Sequence, residues 1–249
     1  MMSSGFFKKA FRIFRSGGGF KLALLYLPSK FILFLAMRRY KNISDRFDLI
    51  SESLVLEHNW FGVKNRVIWS YFFEKIGLDS TEKIAYLEIG SFEGLSACFF
   101  FNQFPRAEIT CIDTWEGSDE HSGDLIFSEV EKSFDTNTAD FSDQLVKVKS
   151  DSFDYLKSLA DEAIFDVIYV DGSHYSRDVL LDAIFAFDHL KDGGLMIFDD
   201  YLWGFYKEDG DNPIWAINLF VKFYKRQLKV LYVGGQLIVR KNQGRRENY

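Results

Sequence analysis

Cysteine is scarce in this chain: two residues in 249, Cys98 and Cys111, both inside apolar runs. They show neither metal-ligand spacing nor a disulfide framework, which argues against a stapled secreted scaffold and for a reducing, cytoplasmic compartment. Both read as small core residues. Acidic residues are missing altogether from positions 1–41, which hold nine Lys or Arg. The remainder carries 21 basic and 36 acidic side chains, so a net charge of −6 hides a basic arm on an acidic body. A body of that sign argues against a broad nucleic-acid surface. No repeat or low-complexity segment occurs, and the absence of GxxxxGK[ST] argues against a P-loop nucleotidase.

An unbroken apolar run is also lacking. Positions 6–14 (FFKKAFRIF) mix aromatic and basic residues, glycines fill 17–19, and 20–39 (FKLALLYLPSKFILFLAMRR) is interrupted by Lys21, Pro28 and Lys30. The pieces fall short of the about 20 residues a membrane span needs. Two short amphipathic helices on an anionic membrane surface fit this pattern. A pair of helices capping the domain or forming a dimer contact is the plainer reading, and a true span the third. The expected division is an extension over 1–41 and one domain over 42–249.

What is present is core material, 47% hydrophobic and 18% aromatic with 27 Phe. Helix is expected over 67–76, stopped at Gly77. Strands are expected at 84–89, 108–112, 145–148, 165–170 and 194–198. Helices follow at 94–104, 153–160, 177–190 and 213–224, and a closing hairpin spans 229–240. Short apolar strands alternating with helices imply an α/β fold, a mostly parallel sheet covered on both faces with an antiparallel last strand. In such sheets ligands bind beyond the carboxyl ends of the strands.

The residues at those ends carry the chemistry. Glu88 ends the first strand, and Gly90 and Gly94 allow a tight turn and close backbone approach, although an ordinary strand–helix turn needs the same glycines. Asp113 ends the second strand about 20 residues on, where nucleotide-binding sheets place an acid on the ribose hydroxyls. Asp151 and Ser152 follow the third strand, suited to an adenine edge, with Ser152 equally suited to cap the next helix. Asp171 and His174 follow the fourth strand; Asp199 and Asp200 follow the fifth. If those two strands are neighbours, three carboxylates meet, which is costly without a cation. Hard oxygen donors in an incomplete set suit Mg²⁺ or a similar ion. The alternative is that these acids merely cap a loop and a helix. His174 reads as a general base or as a residue orienting Asp171.

The ordered elements EIGSFEG, CIDTWEG, KSDSFD, IYVDGSHYSRD and GGLMIFDDY resemble a class I S-adenosylmethionine (SAM)-dependent methyltransferase with a Rossmann-like sheet. Within that class the chain looks like the divalent-metal O-methyltransferases of catechol and caffeoyl-CoA type, and most like the macrocin/mycinamicin sugar O-methyltransferases. The resemblance spans about residues 60–240. It implies that Glu88, Gly90, Ser91, Gly94 and Ser96 line the methionine end of SAM. It implies Asp113 on the ribose, Asp151 and Ser152 toward adenine, and Asp171, Asp199 and Asp200 on the metal. His174 takes the base's place, where the catechol type has a lysine. Residues 115–121 (WEGSDEH) are expected to reach toward the acceptor, and Trp60, Trp115, Tyr201 and Trp203 to wall it. The expected partners are a small-molecule or glycan acceptor and no nucleic acid, with peripheral membrane contact through the arm and homo-oligomerisation as open alternatives. A non-catalytic SAM-binding or tethered scaffold protein, and a hydroxylase on the same fold, are the rival readings.

Overall fold

The computed structural model describes residues 4–117, 127–160 and 162–244. By internal contacts the chain divides into Leu33–Leu159 and a second unit built from Met1–Ile32 with Ala160–Tyr249. Seven strands form a mixed sheet, ordered β3-β2-β1 in the first unit and β4-β5-β7-β6 in the second.

In the first unit β1 (Ala85–Ile89), β2 (Glu108–Asp113) and β3 (Leu145–Lys149) are parallel, with Glu88 opposite Cys111 and Asp113 opposite Lys149. Helix α3 (Val63–Ile76) ends where Gly77 adopts φ 81°, a left-handed stop that glycine alone takes without strain. Its Trp69 is fully buried and packs edge-on to Phe61 at 4.7 Å. Helix α4 (Leu95–Gln103) lays Phe100 flat on Tyr86 of β1, with ring centroids 4.0 Å apart. Helix α5 (Phe127–Asn137) was not anticipated. Its carboxylates, charged and polar in sequence, are drawn onto β3, where Lys147 pairs with Glu131 and Asp135.

In the second unit β4 (Phe165–Val170) and β5 (Leu190–Phe198) are parallel neighbours, with Val170 opposite Phe198. The closing hairpin of β6 (Leu228–Val233) and β7 (Leu237–Lys241) runs antiparallel, β7 also pairing antiparallel with β5. Helices α7 (Ser176–Asp188) and α8 (Pro213–Phe223) meet through Phe187 and Phe220, 5.3 Å apart. The remaining helix, α6 (Ser152–Ser158), follows β3.

The arm departs from the sequence expectation. Instead of two short helices, α1 (Ser4–Ile13) leads through a wider turn (Phe14–Gly18) into α2 (Gly19–Ser51), a single helix of 33 residues that contains Pro28. A proline breaks a helix by removing one N–H and crowding the preceding turn. Here tertiary contacts on either side hold the axis together. Ser29 Oγ accepts from the Val233 amide at 2.9 Å, and Tyr26 and Leu22 are buried. By length and composition Gly5–Ser51 is apolar enough to cross a bilayer. Its docked face argues that it lies along the protein instead. The opposite face exposes Phe7, Phe11 and Phe14, then Phe20, Leu24, Leu27 and Phe31. Those three- and four-residue spacings define one apolar stripe per helix.

Asn218 of α8 fastens the turn at 14–18. Its Nδ2 donates to the Ser16 carbonyl and Ser16 Oγ, each at 3.0 Å, while its Oδ1 accepts from the Tyr201 hydroxyl at 2.7 Å. All of this is buried, so Asn218→Ala strands two polar partners. The variant is expected to lose about 1–3 kcal/mol of stability, read as a lower urea midpoint at unchanged slope.

Candidate active site

The glycine loop between β1 and α4 is organised by Asp113. Its Oδ2 accepts from the amides of Ser91 and Phe92, both at 2.9 Å, and its Oδ1 from the Trp115 amide at 2.7 Å. The Trp115 indole donates to the Phe92 carbonyl at 2.9 Å. Phe92 and Trp115 both hold positive φ, 45° and 50°, which side chains seldom adopt. Asp113 thus stabilises two strained loop residues at once. Two carboxylate oxygens offer about four acceptor sites, and three are taken. Gly94 has φ 80°, and a Cβ there would stand 3.1 Å from both Phe134 and Thr138. Asp151 is the cap of α6, its carboxylate accepting from the Phe153 amide at 2.9 Å, with Ser152 the first helical residue.

Beneath the loop Glu88 is fully buried. The Tyr86 hydroxyl donates to its Oε2 at 2.5 Å, while Oε1 has no partner. Desolvation outweighs the help of Tyr86, Ser96 and Ser91 and pushes the carboxyl up to about 7. Ser91 Oγ is likewise buried, near enough to ease the Glu88 charge but without a well-formed hydrogen bond of its own. A buried acid with an idle oxygen beside an idle hydroxyl fits a cationic amine, as the methionine end of SAM would present. Glu93, equally buried, holds the segment before α3 by accepting from the amides of Glu57 and His58.

The second constellation stands at the ends of β4 and β5. Because those strands are neighbours and Asp199 N donates to the Val170 carbonyl at 3.0 Å, Asp171, Asp199 and Asp200 are brought together. The Tyr169 hydroxyl lies 2.7 Å from Asp171 Oδ2 and in close contact with Asp199 Oδ2, so one proton serves two carboxylates. Asp199 also accepts from Gln236 Nε2 at 3.1 Å and from the Asp200 amide at 2.8 Å. Burial, then mutual repulsion, raises the Asp171 carboxyl well above its ordinary range, and Asp199 is raised for the same reasons. Asp200 holds φ 49° and sets its Oδ2 2.7 Å from His174 Nε2. Trp203 covers the imidazole, with centroids 4.6 Å apart. One ligand atom each from Asp171, His174 and Asp200 lies within 4.8 Å of the others. Crowded carboxyls with one proton between them, beside an imidazole, fit a divalent cation.

Asp199 thus has three protein donors on its oxygens, and Tyr169 and Gln236 are supporting residues that motif reading missed. Tyr169 looked like one more apolar strand position, and Gln236 carried no signal. Two of the four expected wall aromatics are core instead: Tyr201 is fully buried on Asn218, and Trp115 is buried under Phe134. Trp203 lies on His174, and Trp60 is exposed beside His58 and Phe92. Residues 118–121 of the expected acceptor segment lie outside the described residues.

Comparison with known proteins accords with this arrangement. Residues 87–201 match the family model of a methyltransferase domain. An uncharacterised protein of Acanthamoeba polyphaga mimivirus is 25% identical over 131 residues, 48% of this chain and 52% of that protein. The chain thus spans about half the length of that curated relative. The methyltransferase MycE of mycinamycin biosynthesis, solved with Mg, SAH and mycinamycin VI, superposes with a TM-score of 0.53 at 16% identity, covering 84% of this chain and 56% of that one. A Staphylococcus aureus protein named as a caffeoyl-CoA O-methyltransferase gives 0.54 at 14% identity, covering 87% and 99%. TomG from Streptomyces achromogenes, an O-methyltransferase of tomaymycin synthesis solved with SAM, gives 0.53 at 13%, covering 82% and 99%.

Glu88 yields a test that needs no ligand. Its folded-state pKa stands above the ordinary carboxyl value, so the fold favours the neutral form. Stability is therefore lost as pH rises from the usual carboxyl range through about 7. Glu88→Gln is expected to remove that loss, about 1.4 kcal/mol per pH unit across the window, in melting curves compared with the unsubstituted protein. Parallel pH profiles of the two proteins would contradict the shift. Residues 87–201 thus match a methyltransferase domain, and the fold is the one that these O-methyltransferases share.

Proposed function

We propose that the protein transfers a methyl group from SAM to a hydroxyl oxygen of a small molecule or sugar, with a divalent metal, Mg²⁺ in the first instance, bound at the β4–β5 carboxylates. The observation that carries this reading is the meeting of Asp171, Asp200 and His174 at strand ends whose carboxyls repel one another. Glu88 and Ser91 take the amino group of the methionine end, with Gly90, Gly94 and Ser96 shaping its bed. Asp113 offers its remaining acceptor site to the ribose. Asp151 and Ser152 take the adenine edge. Asp171, Asp199 and Asp200 hold the metal, which when bound lowers the pKa of an acceptor hydroxyl.

His174 then accepts the hydroxyl proton. A neutral ring that donates from Nε2 to Asp200 keeps its lone pair on Nδ1. Trp203 fixes the plane of that ring. Alignment of the oxygen with the methyl donor supplies much of the remaining rate.

A second reading is favoured by one observation. His174 stands closer to a ligand position than Asp199, whose oxygens are engaged by Tyr169, Gln236 and the Asp200 amide. His174 would then be the third ligand. His174→Ala separates the two. A base variant keeps metal affinity and loses about 10²–10⁴-fold in turnover, whereas a ligand variant loses metal affinity together with turnover.

For the arm we infer peripheral attachment to an anionic membrane surface, supported by the exposed stripe from Phe7 to Phe31 and by nine basic residues without an acid over 1–41. Sedimentation with anionic vesicles at low salt is expected to carry the protein down, and neutral vesicles to leave it in solution.

Calorimetry tests the central reading. Saturable SAM binding is expected, and Asp171→Asn or Asp200→Asn is expected to weaken Mg²⁺ or Mn²⁺ by more than the about 10–100-fold that outer partners command. Unchanged metal affinity in both variants would reject the metal site. Absence of SAM binding would favour the scaffold reading.

A further inference from the structure

The second unit contains a cavity of about 500 Å³ that the methyl-transfer reading leaves unused. It opens where the arm bends, at Ser16 and Gly17, against the start of α7 and the exposed side of α8. A Cβ built on Gly17 would meet nothing within 4 Å, so the bend leaves space at the cavity wall.

Among the described residues three side-chain donors in this wall, two of them on exposed residues, have no protein acceptor. Arg177 and Lys222 line the cavity, and among the described residues neither carries an ion pair. Trp215 contributes an indole Nε1 that is buried without a partner. The first turn of α7 has no side-chain cap at Tyr175 but already carries an acid, Asp178, so it adds little to these donors. The lone carboxylate in the wall, Asp211, is engaged by the Tyr175 hydroxyl. The rest of the lining includes Leu180, Ala216 and Leu219. An idle buried indole donor costs stability unless something accepts from it.

We propose that this cavity binds an amphiphile with an oxyanion head, its phosphate or carboxylate taken by Arg177, Lys222 and Trp215 and its hydrocarbon lying against Leu180 and Leu219. The head chemistry follows from the unpaired donors. The tail follows from the apolar wall. Tyr175 directly follows His174 in the chain, so occupancy bears on the loop that carries the proposed base. The proposal does not depend on methyl transfer, and SAM binding reports on that separately.

The probe is dodecyl phosphate below its micellar concentration, titrated calorimetrically into the full chain, with dodecyl maltoside as the neutral-headed control. One saturable site is expected for the phosphate and none for the maltoside. The double variant Arg177→Gln, Lys222→Gln is expected to weaken the phosphate at least about tenfold, and Trp215→Phe to weaken it several-fold, with SAM affinity unchanged in each as the measure of intact fold. Equal binding of both detergents, equal binding by the double variant, or no saturable binding at all would each overturn the site. Inorganic phosphate is expected to compete only weakly, and competition as strong as that of dodecyl phosphate itself would remove the tail from the proposal. Geranyl phosphate and dioctanoyl phosphatidic acid, compared side by side, tell an isoprenoid carrier from a bilayer lipid, and preference for either supports the site.

Discussion

Much of the second unit is arranged around one electrostatic constraint: Asp171 and Asp199 stand half-buried side by side with a single Tyr169 hydroxyl proton between them. Like charges in a low-dielectric site repel strongly, and each carboxyl is pushed toward its neutral form. The surroundings supply what relief they can. Gln236 reaches in from the β6–β7 hairpin, the Asp200 amide donates to Asp199, and Asp200 itself holds positive φ. That strained backbone presents the Asp200 carboxylate to His174. Strain of this kind, held by packed neighbours, is a common mark of functional sites.

The arm takes part in the same arrangement. Arg12 of α1 donates to the carbonyls of Leu202 and Trp203 at 2.9 and 3.1 Å, and its guanidinium lies so close to Gly204 that a Cβ there would come within 2.6 Å. Trp203 is the ring that covers His174. A basic residue that composition assigns to a surface-binding tail is thus a brace for the loop beside the proposed base. Capping and surface attachment are compatible, because the docked and the exposed faces of the same helices serve different ends.

The cofactor half follows a different logic. There the fixed charge of Asp113 is spent largely on backbone amides, which holds Phe92 and Trp115 in conformations they would not otherwise keep. Glu88, by contrast, keeps an oxygen without a partner. One acid therefore shapes the loop and the other keeps its capacity for a ligand.

Sequence by itself determined the alternation of strands and helices, the antiparallel closing hairpin and the positions of the strand-end acids. Those depend on local period, on glycine at left-handed turns such as Gly77, and on short apolar runs bounded by polar residues. Glu88, Asp113, Asp171, His174, Asp199 and Asp200 were legible for the same reason, since each stands directly at or just beyond such a run. Tertiary structure decided what local pattern cannot carry. It made β4 and β5 neighbours, so that three acids separated in sequence converge. It joined Pro28 into a continuous helix through the contacts of Tyr26 and Ser29, and it recruited Tyr169, Gln236 and Arg12 as supports. It also buried Tyr201 and Trp115. Each of these outcomes rests on partners far away in the chain, and a hydrogen bond or a packed ring leaves no periodic trace in the sequence that makes it.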